Sequence, residues 1–277
     1  MSDPAFTILL PVHRPAALLP YAIASVQAQE RQDFELFIIC DGAPPETAAC
    51  AREHAARDPR IRVFDHPKGA RYGEAYRHQA LEQARGEYVC QIADDDLWLP
   101  NHLAELAALL RSVDFGHTLM VWILPDETVH LHHYMLSDAP VRQRMLRESW
   151  NFFGPTTAGY RLSAYRSLPV GWSPGPDNMA SDLYMWRKFL AHPDIRVGTR
   201  RIVTSVHFAT PHRRDWALER REAEIRRWSQ RLADPVCRRE FLRALPPVAR
   251  EKRRFLPRRL ARPLRALARR LGWKLRA

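Results

Sequence analysis

The chain has 277 residues, 46% hydrophobic and 27% charged, enough for one large or two modest domains around a packed core. Its formal net charge of +12 points to an anionic partner, yet residues 251–277 hold 11 of the 43 Lys and Arg and one of the 31 acidic residues, leaving residues 1–250 nearly neutral. That distribution excludes a protein coated in positive charge for nucleic acid, and no apolar run reaches the ~20 residues of a membrane-spanning helix.

Phe6–Val12 (FTILLPV) is a continuous apolar run, as a strand buried on both faces requires, and no signal peptide is read ahead of it. Pro15–Gln29 sets Leu18, Leu19, Ala22, Ile23 and Val26 at helical spacing. Phe34–Cys40 (FELFIIC) is a second strand, Glu46–Arg57 a helix stopped at Asp58-Pro59, and Ile61–Phe64 a third strand. Tyr72–Ala84 is a helix ended by Arg85-Gly86, and Tyr88–Ile92 a fourth strand. This alternation predicts an α/β fold, a mainly parallel sheet sandwiched by helices.

Further along, Leu97–Leu110 reads as a helix opened by Pro100, and Met120–Leu124 with Thr128–Tyr134 as a hairpin. Ser149–Asp182, punctuated by Pro155, Pro169, Pro174 and Pro176, reads as a long loop, and loops of that length are usually functional. Asp182–Leu190 reads as a helix, Val197–Phe208 as one or two strands, and everything from Trp216 as helix. The expected domains are 1–213, a helical extension 214–250, and a basic amphipathic tail 251–277. Cys40, Cys50, Cys90 and Cys237 lack C-x-x-C spacing, so they read as reduced, buried thiols and not as a zinc site.

The strongest chemical feature is Asp94-Asp95-Asp96, directly after the fourth strand. Three adjacent carboxylates repel one another unless a cation is present, and ligands of open α/β sheets bind at that edge. The competing reading is a solvated acidic turn capping the next helix. Asp41 ends the second strand at the same sheet edge, either as an acceptor for a ring N–H of a nucleotide base or as an ordinary Asp-Gly turn. His130 and His132 share one strand face but have no obvious third ligand, so an exposed face is the expectation. Trp150, Trp172 and Tyr160 either stack on a sugar or pin the loop.

The stretches Ile8–Pro15, Ser25–Gln29, Asp33–Gly42, Ala84–Val89 and Asp94–Pro100, in this order and spacing, resemble the family 2 glycosyltransferases. The resemblance covers roughly the first 105 residues and implies the fold called GT-A, followed here by the helical basic tail. It implies that Pro11, Val12 and His13 line a nucleotide pocket, that Asp41 holds the base, and that Arg77 lies by the nucleotide. It further implies a ribose-side role for Asp94, divalent metal (Mn2+ or Mg2+) at Asp95 and Asp96 with His207 assisting, and Asp182 as general base. Two departures stand out: Ala43 replaces a serine of the usual Asp-Asp-Gly-Ser stretch, in which Cys40 also replaces an aspartate, and Ala93 occupies a position that is often acidic.

The expected activity is inverting transfer of a sugar from a nucleoside diphosphate sugar, UDP or dTDP favoured, to a glycan or lipid-linked acceptor in surface polysaccharide or lipid-linked glycan synthesis. One rival is a sugar nucleotidyltransferase, against which stands the absence of a glycine-rich loop after the first strand. The other is a non-enzymatic membrane or nucleic-acid binder working through the tail. In that tail Leu256, Leu260, Leu264, Leu267, Leu271 and Leu275 recur every three to four residues amid arginines. A basic amphipathic helix of this kind suits an anionic membrane surface, so the expected location is cytoplasmic and peripheral at the inner membrane face, with nucleic acid unlikely as a partner.

Overall fold

The computed structural model describes residues 3–246. Its elements are β1 (Phe6–Val12), α1 (Leu19–Gln27), β2 (Phe34–Asp41), α2 (Pro45–Arg57), β3 (Ile61–His66), α3 (Glu74–Glu82), β4 (Tyr88–Gln91), β5 (Asp96–Trp98) and α4 (His102–Leu110). There follow β6 (Phe115–Ile123), β7 (Val129–Leu131), α5 (Ala139–Arg147), β8 (Ala158–Arg161), α6 (Leu162–Ser167), α7 (Ser181–Ala191), β9 (Val197–His207), α8 (Leu218–Ala233) and α9 (Pro235–Ala244).

The strands form one sheet in the order β3-β2-β1-β4-β8-β6-β9-β5, with β7 paired to β6. β1 to β4 are mutually parallel, β8 runs antiparallel to β4 and β6, and β9 lies parallel to β6. The unbroken apolar strands follow from this layering. Successive side chains point to opposite faces, so in β1 Leu9 joins one core with Phe115 and Trp186, while Ile8 and Leu10 join the other with α1 and α4. Both faces are covered, so no polar alternation is needed.

Local sequence signals mislead at three places. Leu97 and Trp98 belong to β5, which pairs antiparallel with Val206 and Ser205 of β9, and the helix expected from Leu97 starts only at His102. The apolar pair beside Pro100 imitates a helix start, while its strand partner is remote in sequence. The expected long loop contains β8, α6 and a 3-10 turn at Pro155–Thr157. α5 escapes periodicity because it buries only Val141 and Met145. Residues up to Pro246 form one compact unit, in which Ile225, Trp228 and Leu232 of α8 are buried. Among the described residues no helix is long and apolar enough to cross a membrane, and all four cysteines are free, with Cys40 and Cys90 buried. The tail 251–277 lies outside the described residues.

Candidate active site

The motif stretches act first as scaffolding for the sheet's carboxyl edge. Ser25 Oγ accepts from the Trp98 amide, and the Gln29 side chain donates to Leu99 O while accepting from the Leu103 amide. Ser25 of α1 and Gln29 just after it thus fix the chain just beyond the acidic triplet. At the opposite edge, Thr7 donates to Glu35, and the Gly86 amide donates to Thr7. A side chain at Gly86 would place Cβ 2.4 Å from the Thr7 nitrogen, so only glycine lets β4 enter here.

Sheet register then sets three side chains in a row across β5, β9 and β6. His207, the last residue of β9, is flanked by Asp96 of β5 on one side and Trp122 of β6 on the other. His207 Nδ1 bonds Asp96 Oδ1 at 2.7 Å, and the Trp122 ring stands edge-on to the imidazole. Burial acts to lower the His207 pKa, but the carboxylates of Asp96 and Asp95 outweigh it, so the net shift is upward and favours an imidazolium. Thr156 donates to the other Asp96 oxygen at 2.5 Å. A cavity of 290 Å3 opens beside this row, lined by Asp96, His207, Trp122, Asn151, Phe152 and Asp182 among others.

Asp182 sits in the first turn of α7, where its carboxylate complements the helix dipole. Its Oδ1 accepts from the Leu183 amide and its Oδ2 from Asn151 Nδ2 at 2.9 Å. Burial raises its pKa against the opposing pull of these bonds and of Arg77.

The acidic triplet splits into three environments. Asp95 Oδ2 accepts from Arg14, Thr210 and Arg221. Burial works to raise its pKa, and the nearby cations with Thr210 bring it below the ordinary value. Asp94 Oδ2 is buried with no hydrogen bond; Arg14 Nε lies 3.2 Å away, close enough to ion-pair but out of alignment. Burial and then the Asp95 charge push the Asp94 pKa up to about 7.

The residues expected to share a cation, Asp95, Asp96 and His207, do not converge into a ligand set. Among the described residues no group of three or more His, Cys, Asp or Glu side chains is placed to hold a metal ion. Asp96 and His207 are engaged with each other, and Asp95 with arginines. The orphaned Asp94 oxygen beside Asp95 nevertheless fits a hard cation that takes one or two carboxylates and draws its remaining ligands from phosphate oxygens. His130 and His132 likewise join no metal cluster among the described residues.

At the other end of the edge, Pro11 and Val12 close β1 and His13 is exposed beyond them. Asp41 is covered by the loop 67–73: Lys68 Nζ bonds its Oδ2 at 2.5 Å and the Gly69 amide its Oδ1 at 2.6 Å. Gly73 has φ +67, and a Cβ there would meet the Asp41 carboxyl at 2.8 Å. Each Asp41 oxygen thus accepts one of these bonds. Arg77 is buried, donates to Tyr72 O and stacks 4.4 Å above the Trp172 ring, with its Nε unpartnered. Trp172 in turn donates to Tyr160 Oη, so these two aromatics pin the loop, whereas Trp150 packs edge-on against half-exposed Tyr134.

Sequence reasoning missed Arg14, Asn151, Thr156, Thr210 and Arg221 as site residues. Arg14 follows directly on His13 and was within reach of the motif. The others lie outside any motif, and only the tertiary fold brings them in.

A family model described as Glycosyl transferase family 2 matches residues 7–168. The chain is 34% identical over 107 residues, 39% of its length, to the putative colanic acid biosynthesis glycosyl transferase WcaA of Escherichia coli K12, and spans 38% of that relative. Other curated relatives are also matched over well under two thirds of their own length. Among solved structures, S. aureus TarS 1-349 in complex with UDP-GlcNAc aligns with TM-score 0.55 at 16% identity, covering 81% of this chain and 65% of that one. The mannosyltransferase PcManGT from Pyrobaculum calidifontis, in complex with GDP-Man and Mn2+, aligns with TM-score 0.54 at 18% identity, covering 96% and 81%. At such identities the likeness establishes the shared α/β fold alone.

Proposed function

Because this chain belongs to glycosyl transferase family 2, we propose that it moves a sugar from a nucleoside diphosphate sugar to an acceptor hydroxyl, inverting the anomeric carbon. The observation that carries this reading is the single cavity in which Asp182, Asn151, Asp96 and His207 meet at the carboxyl edge of the sheet. In the reaction, Asp182 accepts the proton of the acceptor hydroxyl as that oxygen bonds to the anomeric carbon. The bond from that carbon to the diphosphate oxygen breaks, and the nucleoside diphosphate leaves. A base with a raised pKa suits this task near neutral pH. Asn151 orients the carboxylate.

Pro11, Val12, His13, Asp41 and Arg77 bind and orient the nucleotide, and Asp94 lies toward the ribose. Asp95, with Asp94 assisting, holds Mn2+ or Mg2+, which supplies charge neutralisation at the diphosphate. Asp96 and His207 form a bonded pair next to that seat. Asp41 favours UDP or dTDP, since uracil and thymine present a ring N–H beside a carbonyl and cytosine does not.

A surface polysaccharide or lipid-linked glycan is the acceptor class. The E. coli relative, named for colanic acid biosynthesis, supports it, and the basic, leucine-striped sequence of 251–277 supports attachment to an anionic membrane where such acceptors reside. The test is a thermal-shift panel of UDP, dTDP, GDP and CDP with and without Mn2+. UDP or dTDP with Mn2+ should stabilise the chain most; stabilisation by CDP equal to that by UDP would remove the role given to Asp41.

A further inference from the structure

Three donors from three remote parts of the chain converge on one oxygen. Arg14 Nη1, Thr210 Oγ1 and Arg221 Nη2 each lie 2.9 Å from Asp95 Oδ2. Arg14 arrives from the end of β1, where Thr47 Oγ1 of α2 bonds its carbonyl. Thr210 opens the 3-10 turn after β9. Arg221 projects from α8, whose place is fixed by the fully buried Arg213 bonding both oxygens of Glu224 and the carbonyl of Ile123. Tyr21 of α1, bonded to Glu222 and Arg226, holds the same helix from the other side.

The Arg221 side chain is only 13% exposed, so a guanidinium on the last large helix has been withdrawn from water for this one carboxylate. Two guanidiniums and a hydroxyl crowd one carboxylate oxygen, Arg14 also standing 3.2 Å from Asp94 Oδ2, and His207 stands on the adjacent Asp96. A guanidinium recognises a phosphate with the same planar fork it offers a carboxylate. A cation that takes Asp95 Oδ2 displaces these donors, and a diphosphate brought with the cation offers them new acceptors beside it.

We infer that Arg221, together with Arg14 and Thr210, forms the seat of the donor's diphosphate: at rest these groups hold Asp95, and on donor binding they pass from the carboxylate to phosphate oxygens and release Asp95. This rests on the reading of the chain as a nucleotide-sugar enzyme. It adds a switch of partners supplied by α8. No movement of the helix is required, since donors and acceptors already share one locus.

The inference predicts effects of opposite sign from one substitution. Calorimetric titration of the full chain with Mn2+ alone, with UDP or GDP in the presence of Mn2+, and with uridine separates them. Arg221→Gln should bind Mn2+ alone more tightly, because Asp95 is freed, and the nucleoside diphosphates about tenfold more weakly, as loss of a charged hydrogen bond implies. Uridine, which has no diphosphate, should be indifferent. Arg221→Lys retains the charge but not the fork and should lie between the two, which guards against a folding defect in the glutamine variant. If both variants shift Mn2+ and diphosphate affinity in the same direction, or leave both unchanged, the inference is overturned. If the wild-type chain binds no nucleoside diphosphate under any condition, the nucleotide-sugar reading fails, and this inference with it.

Discussion

At the scale of single residues, the carboxylates that look alike in sequence are made different by their partners. Asp182 is raised by burial, and Asn151 opposes that rise by donating to the charged form. Asp182→Asn should lower turnover by about 10^2- to 10^4-fold while leaving donor affinity unchanged, the expected loss of a general base. Since the base acts only when ionised, kcat should climb with pH through a midpoint above the ordinary aspartate range. Asn151→Ala removes a bond to the ionised form, so the climb should move to higher pH; a pH–rate profile of the two chains side by side decides this. The place of Asp182 at the start of a helix was legible in sequence, although it lies beyond residues 7–168, which the family model matches. Asn151, in the proline-punctuated segment, carried no pattern.

The elements contribute a sensitivity to acid that has nothing to do with the site. His102 opens α4 and His117 lies in β6; both are fully buried, and burial lowers their pKa values to about 3 and about 4. His117 Nδ1 donates to Thr118 O and its Nε2 accepts from Thr199, while its ring stacks on Phe153, a neutral tautomer set by the bonding pattern. Unfolded, each histidine would bind a proton near pH 6.5. Between that pH and the folded values the unfolded chain therefore holds more protons, so stability is full above pH 6.5 and is lost as pH falls toward 4. Each unit of displacement is worth about 1.4 kcal/mol, so the two rings put several kcal/mol at stake. The thermal midpoint should fall steeply over that interval, and His117→Gln should flatten the slope. An unchanged slope in that variant would place the acid sensitivity elsewhere.

For the elements themselves, the sequence was readable where burial on both faces leaves an unbroken apolar run, as in β1 and β2, and where a cluster such as Asp94–Asp96 directly follows a strand. It was unreadable where an element owes its existence to distant partners. β5 is a three-residue strand held by β9, and β8 is four residues inserted between β4 and β6. Neither is long enough to show a period. Thr210 and Arg221 reach Asp95 across separations of 115 and 126 residues, and no local motif reports such a meeting.

For the molecule as a whole, the C-terminal helices decide how far the chain can be shortened. A chain ended at residue 213 loses Glu224 and leaves Arg213 as an unpaired charge, which alone costs about 3–5 kcal/mol where it stays buried. It also uncovers the surface on which Ile225, Trp228 and Leu232 pack. Thermal unfolding should show such a chain to be grossly destabilised. A chain ended at Arg250 should keep the wild-type midpoint yet fail to float with anionic liposomes that carry the full chain. Equal flotation of the two would remove the membrane role proposed for residues 251–277.

The bond between Asp96 and His207 spans 111 residues of chain. Closing so long a loop is entropically slower than pairing neighbours such as β1 with β2, so the first strands can associate well before this contact exists. The contacts around β1, β2 and β3 are thus expected to form before the row of Trp122, His207 and Asp96. In a refolding experiment, recovery of secondary structure should run ahead of recovery of turnover, and a chain halted midway would carry its acidic triplet without Arg221 of α8 to balance it.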